Sequence, residues 1–185
     1  MNQICRWIAK RGGWTLVDQL PTEKHYVLLG YPHTSNWDFI LAMLFKFGTG
    51  LHFNWVAKHS LFRWPFGGLM RALGGIPVNR NRTRGFTAEL ALSIKQRSQM
   101  SIVIAPEGTR GYTKHWRSGF YHLARSANIP VALGYICYQS KRIGIGPVIH
   151  LSNDPDADLA KIGAFYANIG ALYPAKAGKI LFRAK

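Results

Sequence analysis

Two short stretches of this 185-residue chain hold side chains able to move a proton or grip an anion. The first is Tyr31-Pro32-His33-Thr34-Ser35-Asn36-Trp37-Asp38. Thr34, Ser35 and Asn36 are all good helix N-caps, so a helix is expected to begin among them, with Asp38 in its first turn. The positive end of the helix dipole favours an ionised carboxylate there. His33 lies just outside that helix, five residues before Asp38, and its ring can fold back onto the carboxylate. An imidazole held this way has one fixed tautomer and a free second nitrogen, the attributes of a general base for a hydroxyl or a thiol. Taken alone, the same spacing also describes a capping Asp beside an unrelated His. The second stretch is Pro106-Glu107-Gly108-Thr109-Arg110, which follows the apolar run SIVIA. A tight Gly turn at a strand end lets backbone N–H groups and a guanidinium converge on one anion, and the Arg fork suits phosphate or carboxylate. A local Glu107–Arg110 ion pair decorating the turn is the plainer alternative. A third stretch, Gly74 to Arg80, places another Arg after a short extended piece, with Arg82 and Arg84 behind it. A solvated basic loop has the same pattern.

Regular elements must present these stretches, and hydrophobic periodicity supplies them. Apolar runs over 25–31, 53–57, 101–105, 131–138 and 143–150 read as strands, with a shorter extended piece at 76–79. Apolar residues at helical spacing mark helices over 36–47, 86–99, 120–127 and 157–172, and an amphipathic stretch at 65–73. Residues 4–17 read as a short basic helix interrupted by Gly12-Gly13, with Ile4, Trp7, Ile8 and Leu16 on one side and Arg6, Lys10 and Arg11 around them. Such a segment suits either a membrane interface or the surface of a core. The sequence Asn153-Asp154-Pro155-Asp156 reads as an exposed turn before the last helix. Strands alternating with helices imply an α/β layer fold.

Composition bounds the class. Hydrophobic residues make up 48% and charged ones 17%, which excludes disordered and coiled-coil chains, and the length fits one domain over 1–185. Cys5 and Cys137, with no CxxC, exclude a disulfide framework and a zinc ribbon and fit a reducing compartment. The apolar run 39–45 is far shorter than the roughly 20 residues of a spanning helix, and the basic N-terminal segment lacks the apolar stretch of a secretory signal. The expectation is a protein of the cytoplasm. With 24 basic against 8 acidic residues the net charge is +16, and residues 1–150 hold 19 of the bases but only 5 of the acids. A surface this positive seeks nucleic acid, anionic lipid headgroups or phosphorylated substrates. No recognition-helix, RNP-like or zinc pattern supports the first of these, so no nucleic-acid partner is expected.

In this order and at these separations, the three stretches resemble the motif blocks of the glycerolipid acyltransferase family, whose best-known members are the 1-acylglycerol-3-phosphate acyltransferases. His33 and Asp38 match the first block, Gly75 to Arg80 the second, and Pro106 to Arg110 the third, letter for letter. Ile129-Pro130-Val131 is similar to the fourth, and Trp116-Arg117-Ser118-Gly119 resembles a Phe-Lys-x-Gly segment downstream of the third. The resemblance covers about residues 25–140, leaving residues 1–20 as a candidate interfacial segment. Pro32 stands where the family commonly has Asn, and Asn79 where it has an acid. The resemblance implies a single-layer mixed, largely parallel sheet flanked by helices, and an O-acyltransferase. In that mechanism His33, oriented by Asp38, takes the proton of an acceptor hydroxyl as it attacks the thioester of acyl-CoA or acyl carrier protein. Backbone amides near the helix start would hold the oxyanion. Arg80, Arg110 and Lys58, the last within a Val-Ala-Lys, would hold the phosphate of a lysophospholipid. Glu107 would orient the acceptor hydroxyl or brace Arg110, and Gly108 and Thr109 of the same block would belong to the substrate-binding set. No metal or organic cofactor is implied. The expected partner surface is an anionic membrane approached from its cytoplasmic face. A lipid transacylase or hydrolase would use the same residues, with another lipid or water replacing the acceptor.

Overall fold

The computed structural model describes residues 2–78 and 85–183. The helix α1 (Asn2–Arg11) leads to β1 (Thr15–Leu16), β2 (His25–Gly30), α2 (Trp37–Thr49) and β3 (Asn54–Lys58). A 3-10 turn (His59–Phe62), α3 (Gly67–Ala72) and β4 (Gly75–Val78) come next. After them follow α4 (Phe86–Lys95), β5 (Met100–Ile104), α5 (Gly119–Ala127), β6 (Val131–Cys137), β7 (Arg142–Ile149) and α6 (Pro155–Tyr166). Among the described residues seven strands form one sheet in the order β1-β7-β6-β2-β5-β3-β4. The five strands from β6 to β4 in that order are mutually parallel, while β7 runs antiparallel to β6 and carries β1 beside it. The sheet is therefore mixed and largely parallel, with helices on both faces.

The period-2 alternation of β2 divides the core. Val27 and Leu29 pack with Ile94, Leu123 and Ile162 from α4, α5 and α6, while Tyr26 and Leu28 pack with Leu41 and Phe45 from α2. A strand covered on both faces reads as a continuous apolar run, which is why 25–31 and 131–138 were visible as strands. α2 ends at Gly50, whose φ of +78° suits glycine at that position. Lys46 in its last turn donates to the carbonyls of Phe53 and Leu73, both at 2.8 Å, tying the helix to the strands beside it.

Several boundaries differ from the periodicity reading, each for a local reason. The first helix stops at Arg11, because Thr15 and Leu16 pair with Arg142 and Ile143 and the N–H of Val17 donates to Ile143 O. Leu16 therefore lies in a strand. α4 ends at Lys95 and not at 99, since the N–H of Met100 already pairs with Lys24 O to start β5. The amphipathic stretch 65–73 is helical only over α3. The last helix begins two residues earlier than 157, where Asp154 caps it by accepting from the N–H groups of Asp156 and Ala157, both at 3.0 Å. It ends at Tyr166, because the chain beyond turns back so that Gly170 O accepts the N–H of Tyr138 at 2.8 Å.

Candidate active site

Because β2, β3, β4, β5 and β6 are parallel, their C-terminal ends share one edge of the sheet, the usual place for a site in such folds. Leu29 is level with Ile104, and Gly30 with Gly134, so the segments leaving β2, β5 and β6 emerge side by side. Residues that are remote in sequence meet there.

His33 Nδ1 lies 3.0 Å from Asp38 Oδ2, and the N–H groups of Thr34 and Ser35 donate to the same oxygen at 2.8 and 2.9 Å. The other oxygen, Oδ1, accepts the hydroxyl of Tyr138 at 2.7 Å. Asp38 is 5% exposed. Burial alone would push its carboxyl up, but the hydrogen bonds from His33, Tyr138 and Ser35 outweigh it and hold the group below the ordinary carboxylate range. Burial and the neighbouring Asp38 push the Tyr138 phenol up, so it remains a donor. With Nδ1–H directed at an ionised carboxylate, Nε2 of the half-buried His33 carries the lone pair. That arrangement can remove a proton from a hydroxyl.

Glu107 faces inward. It is 2% exposed, its Oε2 accepts the N–H of His33 at 2.8 Å, and its Oε1 accepts the N–H of Gly178 at 2.8 Å. Burial raises its carboxyl, and these two N–H groups pull it part of the way back. The Glu107–Arg110 ion pair, one of the alternatives for this turn, is not formed: Arg110 is exposed, and among the described residues Glu107 makes no salt bridge. A carboxylate already holding the backbone of His33 has no oxygen directed at the turn that carries Arg110. Gly108 sits at φ +65°, and a Cβ there would lie 2.6 Å from Arg117 Nε. The turn is fixed by Arg117 N–H donating to Pro106 O at 2.8 Å, and Thr109 is exposed with its Oγ1 accepting from Gly111 N–H.

Lys58 is exposed at the end of β3, two strands from β2 on the same edge, and pairs in register with Val78 at the end of β4. Arg80, like Arg82 and Arg84, lies outside the described residues. The amides expected to hold an oxyanion are largely committed: those of Thr34 and Ser35 to Asp38, that of His33 to Glu107, and that of Trp37 to Ser35 Oγ. Among the described residues no cluster of three or more His, Cys, Asp or Glu side chains is placed to hold a metal ion.

Three participants escaped the sequence reading. Tyr138 follows a strand without any motif, and only the parallel pairing of β6 with β2 brings it to Asp38. Gly178 contributes a backbone N–H, which leaves no trace in side-chain pattern. Tyr31 donates its hydroxyl to Gly178 O at 2.9 Å, its phenol pushed up to about 12 by burial and by Glu107. Together with Tyr173 N–H on Thr34 Oγ1 at 3.3 Å, these bonds draw residues 173–178 across the site as a strap.

The comparisons with known proteins agree with this architecture. The structure is similar to the crystal structure of the 1-acyl-sn-glycerophosphate (LPA) acyltransferase PlsC from Thermotoga maritima, with a TM-score of 0.61 and 15% identity over 88% of this chain and 75% of that chain. At that identity the likeness shows a common fold. No curated relative matches the sequence. The acyltransferase family model matches residues 4–133, which include both the His33–Asp38 pair and the Pro106–Arg110 turn, and the chain belongs to the acyltransferase family.

Proposed function

We propose that the protein transfers a fatty acyl group from the thioester of acyl-CoA or acyl carrier protein to the hydroxyl of a lysophospholipid, with 1-acylglycerol-3-phosphate as the favoured acceptor. The observation that carries this reading is the His33–Asp38 pair, with Asp38 buried and hydrogen-bonded on both oxygens. In this mechanism His33 Nε2 takes the proton of the acceptor hydroxyl as its oxygen adds to the thioester carbonyl. The tetrahedral intermediate collapses with loss of the thiolate, and the imidazolium returns the proton to the departing sulfur. The acyl group passes directly between substrates. Glu107 serves by fixing the backbone of His33 through Oε2. Lys58 and Arg110, with Arg80, supply positive charge for the acceptor phosphate, and the Gly108–Thr109 turn carries Arg110 to the edge of the site. The similar Thermotoga maritima protein is a 1-acyl-sn-glycerophosphate (LPA) acyltransferase, which supports the same acceptor class here.

The same reading places the protein peripherally on the cytoplasmic face of an anionic membrane, where acceptor and product reside. The net charge of +16 supports this, as do the exposed Ile4, Trp7 and Ile8 of α1 and the exposed Trp64 and Phe66 before α3. No described helix is long and apolar enough to cross a membrane.

The test is an assay of the purified protein with labelled acyl-CoA and labelled acyl carrier protein against a panel of lysolipids, some bearing a terminal phosphate and some neutral. The expected outcome is label in a diacyl product, most of it with the phosphate-bearing acceptors. Label appearing only as free fatty acid identifies a hydrolase and overturns the assignment, as does transfer confined to neutral alcohols.

A further inference from the structure

We propose that Tyr138 is a positioning residue that orients His33 through Asp38. The inference rests on the reading of His33 as the base and extends it to a residue beyond 133, where the family match ends. The reason lies in the torsional freedom of a carboxylate. The last torsion of an Asp side chain is broad and nearly two-fold, so bonds to a single oxygen leave the plane of the group poorly fixed. Asp38 Oδ2 already takes His33 Nδ1 and two backbone N–H groups, and all three pull on the same atom. The Tyr138 hydroxyl engages Oδ1 at 2.7 Å, which sets the plane of the carboxylate and hence the direction in which Oδ2 meets the imidazole.

Tyr138 is itself held on two sides. Its N–H donates to Gly170 O at 2.8 Å, and its ring stands edge-on to Trp14 at 5.1 Å between centroids. The phenol therefore arrives at Asp38 on a fixed lever. Three tyrosines of the opposite core face end elsewhere: Tyr166 donates to Gly134 O, Tyr121 to Asp158, and Tyr31 to Gly178 O. Because Tyr138 acts through Asp38, its loss should disturb the chemical step and leave substrate binding unaltered.

Tyr138→Phe removes the hydroxyl and keeps the ring against Trp14. The expected result is a fall in kcat of about tenfold to a hundredfold, the scale of one hydrogen bond to a charged group, with KM for donor and acceptor unchanged. The low-field proton NMR resonance of His33 Nδ1–H, assigned by its absence from His33→Ala, should shift or broaden in the same variant. Wild-type kcat in Tyr138→Phe overturns the proposal, and so does a loss that appears in KM or leaves the Nδ1–H resonance unmoved. If that variant does not fold, 3-fluorotyrosine placed at 138 keeps the shape and changes the donor; kcat must then change at constant KM, and an unchanged kcat overturns the proposal. His33→Ala in the same assay separates the two claims: an active His33→Ala removes the base assignment itself, whereas an inactive one beside a normal Tyr138→Phe removes only the role of Tyr138.

Discussion

Asp38 binds four donors on two oxygens, and that economy decides what its replacement would do. Asparagine keeps the shape but presents an NH2 to one set of donors, so either Tyr138 or the His33–Thr34–Ser35 group would face another donor. Asp38→Asn should therefore lower kcat severely, and His33→Ala should lower it by about 10²–10⁴-fold, the usual worth of a general base. Steady-state kinetics on folded variants checks both. Asp38 also makes stability depend on pH. Its carboxyl is held below the unfolded value of about 3.9, so its contribution is complete above that value and is lost as pH falls through the lowered folded value. Urea midpoints of wild type and Asp38→Asn should differ most near neutrality and converge in acid. Glu107 has the opposite sign. Its raised carboxyl makes the fold slightly less stable as pH rises from about 4.3 towards its folded value. His33 and Asp38 were legible in sequence because their partnership spans five residues and leaves a helix-start pattern. Tyr138 was not, because 100 residues separate it from Asp38 and only strand order brings them together.

The strands and the larger helices were readable as elements because burial on both faces of the sheet leaves apolar runs and helical spacing leaves a stripe. Their ends were not readable in the same way, since α4 and α6 stop where the next segment must pair, a requirement set by tertiary contacts. The two-residue β1 is too short to carry any period. The turn after β5 was legible as a motif, but which of its charged groups turns inward was not. Glu107 and Arg110 are close in sequence, yet Gly108 reverses the chain so that the acid goes inward and the base stays out. Gly108→Ala tests that reversal. The clash is with Arg117, a flexible side chain that can yield, so the cost is set by the left-handed backbone at φ +65°. A loss of about 1–2 kcal/mol in denaturant unfolding is expected, with His33 and Asp38 untouched.

Across the whole molecule, apolar and basic groups lie outward together. Trp64 is 93% exposed, Phe66 64% and Trp7 62%, whereas the neighbouring Phe62 is buried in the core. Arg63 and Arg11 lie beside the exposed aromatics, and each basic group near anionic headgroups is worth about 1 kcal/mol. Vesicle co-sedimentation should be strong on anionic lipid, weak on neutral lipid, and reduced but not abolished by high salt, because screening leaves the aromatic part of the binding intact. Binding indifferent to lipid charge would count against a surface-bound enzyme. The strap has a different kind of consequence, one of timing. Its bonds from Gly178 to Tyr31 and from Tyr173 to Thr34 close loops of 147 and 139 residues. At synthesis rates of about 5–20 residues per second, His33 and Asp38 leave the ribosome many seconds before the segment that completes their surroundings. Until residues 173–178 have emerged, the nascent His33–Asp38 pair stands without the Gly178 bond to Glu107 and the Tyr173 bond to Thr34, so its surroundings are completed only after synthesis of the strap.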